Sequence, residues 1–138
     1  AAAFNGRKSS LNIYFALVSI EAYQAMGEQE TAQALLDELI SILEANPSVN
    51  FPDSAIQEAS VYALSGQVEV AIATLEDWVN RGGATSVLQL YTTHGLGVLE
   101  DDPRYQSIQR TVNDRLSKQM TNISDWEASG EMPPIPIP

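Results

Sequence analysis

The 138-residue chain has no cysteine and only one histidine, which narrows the chemistry available to it. The absence of cysteine excludes disulfides, zinc ribbons and thiol nucleophiles. His94 has no Ser/His/Asp constellation, HExxH pattern or glycine-rich phosphate loop beside it, so we expect it to be a loop or capping residue. No apolar run reaches the roughly 18 residues of a membrane-spanning helix. We therefore expect neither an enzyme nor a metal or cofactor site.

Basic side chains are also scarce, and they are unevenly placed. The net charge is -11, and residues 9–80 hold eleven Asp and Glu but no Lys or Arg. Such a surface repels phosphate, so we expect no nucleic-acid binding and no direct membrane contact. It is compatible with a basic partner, and equally with solubility or life in a salty environment. Four of the seven basic residues lie near the C-terminal end: Arg104, Arg110, Arg115 and Lys118.

One pattern is present twice, 39 positions apart: Tyr-x-x-x-Gly-x-x-x-x-Ala-x-Ala-x-Leu. The first copy consists of Tyr23, Gly27, Ala32, Ala34 and Leu36, and the second of Tyr62, Gly66, Ala71, Ala73 and Leu75. A fixed offset of this size indicates stacked helical repeats. Glycine allows a positive φ at the turn between two helices. Alanine lets the helix axes of each pair approach closely, and the tyrosine fills the space between neighbours.

The helical periodicity predicts an all-α domain over residues 10–124. We expect repeats at about 10–46 and 52–82, and C-terminal capping helices at about 84–94 and 102–124. Asp102 followed by Pro103 is a strong helix start, an N-cap carboxylate before proline, so the acidic run at 100–102 favours capping over a metal site. We expect residues 1–9 to be a linker after upstream domains and residues 125–138 to be a proline-rich tail. Trp126 could anchor either this tail or a partner.

These residues resemble the tetratricopeptide repeat, in which helix pairs stack into a superhelix. Ala59, Tyr62, Gly66, Ala71 and Leu75 match its consensus. Ile20 and Trp78 stand where the family has small residues, and the offset of 39 exceeds the family's usual 34 or so.

The run Asp102-Pro103-Arg104-Tyr105 is similar to the C-terminal repeat region of multidomain bacterial regulators, which follows winged-helix or nucleotide cyclase domains. This resemblance implies a signalling parent, cytoplasmic or, if membrane-anchored, periplasmic. We expect Trp78 to pack between the second repeat and the C-terminal helices.

The resemblance also implies a binding groove lined by the first helix of each pair. The matching positions are Tyr14, Leu17, Glu21, Gln24, Asp53, Ile56, Ser60 and Ala63. This mixed apolar and acidic set favours a protein or peptide segment, apolar or basic, as the partner. A competing interpretation is that the last helix or the tail fills the groove. The alternative function is homo-oligomerisation with no separate ligand, because two repeats are fewer than the three or so usually needed.

Overall fold

The fold is built from helices, as the periodicity predicts. A computed structural model of the chain describes residues 10–45, 55–83 and 94–130. Within these ranges the α-helices are α1 Ser10–Ala25, α2 Gln29–Ala45, α3 Ala55–Leu64, α4 Val68–Asn80 and α5 Pro103–Ser129, with a 3₁₀ helix at Leu96–Leu99. No strand is found in them, which confirms the all-α class. None of the helices found there has the length and apolar character needed to cross a membrane.

The two copies of the sequence pattern fold alike at their turns. Gly27 and Gly66 have φ values of 80° and 81°. One residue further on, a backbone amide reaches back over the turn to the repeat tyrosine. The bonds are Glu28 N–H to the carbonyl of Tyr23 and Gln67 N–H to the carbonyl of Tyr62, both 2.9 Å. This is the Schellman end of a helix, which requires a left-handed residue and so confirms the predicted role of the two glycines.

The repeated apolar residues also keep equivalent environments. Helix α1 packs on α2, and α3 packs on α4. In both pairs the first alanine and the leucine of the pattern are buried, while the second alanine is exposed. The buried residues are Ala32, Leu36, Ala71 and Leu75, and the exposed ones are Ala34 and Ala73. The first alanine therefore marks the close approach within each pair.

The interior consists of two clusters that meet at α3. The α1–α2 core contains the buried residues of these two helices together with Val61 of α3. The α3–α5 core contains those of α3, α4, the 3₁₀ helix and α5, with Trp78 only 1% exposed beside Tyr105 and Ile108 of α5. Tyr62 packs against both clusters. The placement of Trp78 agrees with the expectation from the sequence.

Helix α5 begins as predicted but ends later. The carboxylate of Asp102 accepts the backbone N–H of Arg104 over 2.9 Å, and Pro103 opens the helix. The helix then continues to Ser129 and closes at Gly130, with a φ of 70°. The predicted end at 124 was wrong because residues 125–129 contain no helix breaker, and Gly130 is the first residue suited to a left-handed cap. Residues 131–138 of the predicted tail lie outside the described residues.

Two arginines hold α5 alongside α4. Arg104 reaches Glu69 at the start of α4 with two hydrogen bonds of 2.7 and 2.9 Å. Arg115 donates to the carbonyl oxygens of Val79, 2.7 Å away, and Gly83, 3.1 Å away, at the end of α4. The two helices therefore run side by side in the same direction. Of the predicted capping helix at 84–94, only His94 is described, and it lies in a turn before the 3₁₀ helix.

Candidate functional site

The structure describes seven of the eight predicted groove residues and places them in two different environments. Tyr14, Glu21 and Gln24 lie on the accessible side of α1. Leu17, Ile56, Ser60 and Ala63 are in the interior, with at most 3% of their surface exposed. Asp53 lies outside the described residues. The expectation that those four buried residues line an open groove is therefore corrected.

The reason is that α3 is enclosed by its neighbours. It contacts α1, α2, α4 and the 3₁₀ helix. Leu96 and Leu99 of the 3₁₀ helix, each 1% exposed, share a core with Ile56 and Ala63. The hydroxyl of Ser60 donates to the carbonyl of Ile56 over 2.8 Å, within its own helix. Among the described residues, segment 94–99 therefore covers the side of α3 that carries Ile56 and Ala63. The competing interpretation had assigned this place to the last helix or the tail.

Residues 94–99, the crossover segment, approach α3 very closely. Gly95 has a φ of 91°. A Cβ atom at Gly95 would lie 2.8 Å from the Cδ1 of Leu64 and 3.1 Å from the carbonyl oxygen of Ser60. Glycine is therefore required here for two reasons, its backbone conformation and the lack of space.

His94 connects the crossover segment to α1. Its Nδ1 contacts the Oε2 of Glu21, and each side chain keeps about a third of its surface exposed, 34% and 36%. The ring of Tyr14 meets that of His94 edge-on, with centroids 5.9 Å apart and planes at 66°. The sequence signals neither contact, because the partners are more than 70 positions apart.

The outward side of α1 is apolar although it is accessible. Tyr14 is 43% exposed and Phe15 58%, and their rings pack edge-to-face with centroids 5.9 Å apart. We define the α1 face as this aromatic pair together with Val18, Ala22, Ala25 and Met26. Met26, in the turn after α1, is 63% exposed. Glu21 is the only charged residue of α1, so the face has an apolar body with one carboxylate at its edge.

A concavity elsewhere on the surface offers less to a partner than the α1 face does. It lies at α3 and α4, has a volume of about 540 Å³ and is lined in part by Glu69, Val70 and Asp77. Glu69 is already paired with Arg104, and Asp77 with Arg81 at 2.6 Å. No cluster of metal-ligating side chains is found in the described ranges. The α1 face is therefore the stronger candidate site.

Comparison with models of known protein families, with curated proteins and with solved structures finds no match for this chain. The function must therefore be argued from the surface itself.

Proposed function

We propose that the chain is a protein–protein interaction module of a larger signalling protein, and that the α1 face binds a protein or peptide segment. The observation that carries this proposal is the exposed pair Tyr14 and Phe15, on a helix whose only charge is Glu21. Aromatic side chains bury a large area at little conformational cost and are enriched where proteins bind each other.

The same proposal includes a tetratricopeptide-like stack of the two helix pairs. The identical turns, the matching burial of the repeated alanines and leucines, and the contacts of α3 with both α1 and α2 support it. In such arrays the terminal faces are polar or covered. At one end α5 covers α4, whereas at the other end the α1 face is apolar and accessible. This asymmetry favours a partner at α1.

The chemistry of the face selects the class of partner. Tyr14 and Phe15 favour an apolar or aromatic side chain, and Glu21 at the edge favours a Lys or Arg. A cation near the tyrosine ring gains additional attraction from its π electrons. The absence of basic residues over 9–80 acts in the same direction, because it repels acidic segments at longer range. We expect a segment with apolar residues flanked by basic ones.

A random peptide library selected against the chain tests this assignment. We expect selected peptides to combine apolar with basic residues, and Phe15→Glu to weaken their binding about tenfold or more, since it removes a central anchor. Val70→Glu is the matched control: it introduces the same charge at an aliphatic residue that is 42% exposed on α4. Circular dichroism checks that both variants keep their helices. Equal binding by wild type and Phe15→Glu would sink the proposal for the α1 face.

A further inference from the structure

The apolar stripe of α5 continues beyond the core that it helps to build. Tyr105, Ile108 and Val112 are buried, and Leu116 is half-buried against the α3–α5 core. At the same helical spacing follow Met120, Ile123 and Trp126, which are 70%, 49% and 43% exposed. All residues from 117 to 130 are exposed. We call residues 117–129 the α5 extension; at 1.5 Å per residue it is about 20 Å long.

An extension of this kind lacks what usually stabilises a helix. An isolated helix of about 13 residues is marginal in water, because most helical stability comes from packing an apolar face. The apolar face is present here, and α4, on which the first half of α5 packs, ends at Asn80 beside Arg115. The stripe therefore indicates a second helix that packs along the extension.

The distribution of charge favours a second copy of this chain as the source of that helix. Helix α5 carries four basic and three acidic side chains, whereas the rest of the chain carries three basic and fifteen acidic ones. Helices α1 to α4 contain acidic residues and no Lys or Arg. Two copies of a chain with a net charge of -11 repel each other over most of their surface. The extension carries one basic and two acidic side chains, Lys118, Asp125 and Glu127, so two copies meet there with less repulsion than they would across α1 to α4.

We propose that the α5 extension pairs antiparallel with the α5 extension of a second copy of this chain. With the twofold axis near residue 121, Leu116 lies against Trp126 of the second copy, and Met120 against Ile123 of the second copy. Arg115 then lies beside Glu127 of the second copy. The guanidinium has five donors, so the NH1 contacts with the α4 carbonyls leave others for this carboxylate.

The charges also select the orientation. A parallel pair would place Glu127 against Glu127 of the second copy, and it would bring the two acidic domains side by side. An antiparallel pair places the domains at opposite ends of the helix pair, roughly 20 Å apart, well beyond the screening length of about 8 Å at physiological salt. The α5 extension and the α1 face have no residue in common, so this proposal and the proposed function can fail separately.

The interface is small, which decides how the experiment is run. Four apolar side chains per copy bury less than the roughly 800 Å² per partner of a standard stable interface. We therefore expect a dissociation constant on the order of micromolar to tens of micromolar. Sedimentation equilibrium of the full chain must cover concentrations on both sides of that range.

Two aspartate variants test the interface itself. Ile123→Asp places a charge in the stripe, and Thr121→Asp places the same charge two residues earlier, on the opposite side of the helix. We expect Thr121→Asp to dimerise like the wild type, and Ile123→Asp to dimerise at least about tenfold more weakly, because the pair would bury an unpaired carboxylate. A wild type that stays monomeric overturns the proposal. An equal effect of the two variants, or none from either, overturns it too.

A single spin label then tests the orientation. The chain has no cysteine, so Ser129→Cys supplies one labelling site per copy. In the antiparallel pair two such labels are about 25 Å apart along the axis, whereas in a parallel pair they are about 10 Å apart, the distance between packed helices. A long distance supports the antiparallel pair. A short one overturns it.

Discussion

At the scale of single residues, Trp78 and Gly83 form a mutually dependent pair. Trp78 stands where the tetratricopeptide consensus has a small residue, and it is 1% exposed. A Cβ atom at Gly83 would lie 2.4 Å from the Cε2 of the indole, and the Gly83 amide donates to the Trp78 carbonyl over 2.9 Å. The large ring is thus accommodated by the missing side chain five residues later.

This pairing predicts the effect of Gly83→Ala. The added methyl group must displace the indole or the backbone, so we expect the free energy of unfolding to fall by about 1–3 kcal/mol. For a domain of this size the melting temperature then drops by several degrees, roughly 3–10 °C. Thermal unfolding followed by circular dichroism measures the loss of stability. Tryptophan fluorescence reports the movement of the indole ring.

Gly97→Ala is the matched control, because a Cβ atom there meets nothing within 4 Å. We expect its melting temperature to stay close to that of the wild type. If the two variants melt alike, the close contact between Gly83 and Trp78 does not limit stability.

At the scale of elements, the attachment of α5 to α4 depends on charge at its start. Arg104 pairs with Glu69 of α4 and with Asp102, whose side chain also caps α5. Hydrogen bonds from Arg104 lower the pKa of both carboxyls, and they raise the pKa of Arg104 itself. A carboxyl whose pKa is lower in the folded state stabilises the fold above its unfolded value, and this stabilisation is lost as the pH falls through the folded value.

We therefore expect acid to weaken this attachment. The ordinary carboxyl values here are 4.5 for Glu69 and 3.8 for Asp102, so the stabilisation is complete near neutrality and lost below them. Glu69→Gln should melt roughly 1–3 °C lower than the wild type at pH 7, since the pair is exposed, and the gap should narrow as the pH falls below 4.5 and through the lowered folded value. Glu100→Gln, two residues before the N-cap, should show no such gap. A gap for Glu69→Gln that does not narrow in acid would mean that the amide disturbs packing rather than the ion pair.

Elements differ in how far the sequence reveals them. The turns at Gly27 and Gly66 and the start of α5 at Asp102 were predictable, because each depends on the conformation of a few adjacent residues. The end of α5 was missed because residues 125–138 were assigned together to the proline-rich tail, although Gly130 is the first residue there suited to a left-handed cap. The enclosure of Ser60 was not predictable, since it depends on the path of a segment more than 30 positions away.

Some residues of the candidate site were likewise predicted from the sequence, and others were not. Tyr14, Glu21 and Gln24 were placed in the groove by the resemblance to the tetratricopeptide repeat, and the structure has them on the accessible side of α1. Phe15, the more exposed residue of the aromatic pair, was missed because it is not among the positions that the resemblance implies for the groove. The contact between His94 and Glu21 joins two elements that no local pattern relates.

At the scale of the whole molecule, two carboxylates from adjoining helix pairs act on one tyrosine at the junction between the two cores. Tyr62 packs against both clusters. Burial raises the pKa of its hydroxyl, and the negative charges of Glu58 on α3 and Glu44 on α2 raise it further. Two carboxylates of adjoining helix pairs therefore lie near the same hydroxyl. Both charges are negative, so at low salt they repel each other across the junction, and Glu44 in the last turn of α2 also opposes the helix dipole.

This repulsion predicts that removing one charge stabilises the fold at low salt. Glu44→Gln should raise the melting temperature by roughly 1–3 °C at about 0.01 M salt, where charges act over some 30 Å. At about 1 M salt the screening length is near 3 Å, and the difference from the wild type should vanish. Glu30→Gln makes the same change at the other end of α2, where a carboxylate in the first turn favours the helix dipole, so it should lower the melting temperature. Opposite signs for these two variants would show that the position of each charge, rather than the total of -11, determines how electrostatics act on this fold. If Glu44→Gln instead lowers the melting temperature at low salt, attraction within the junction outweighs the repulsion inferred here.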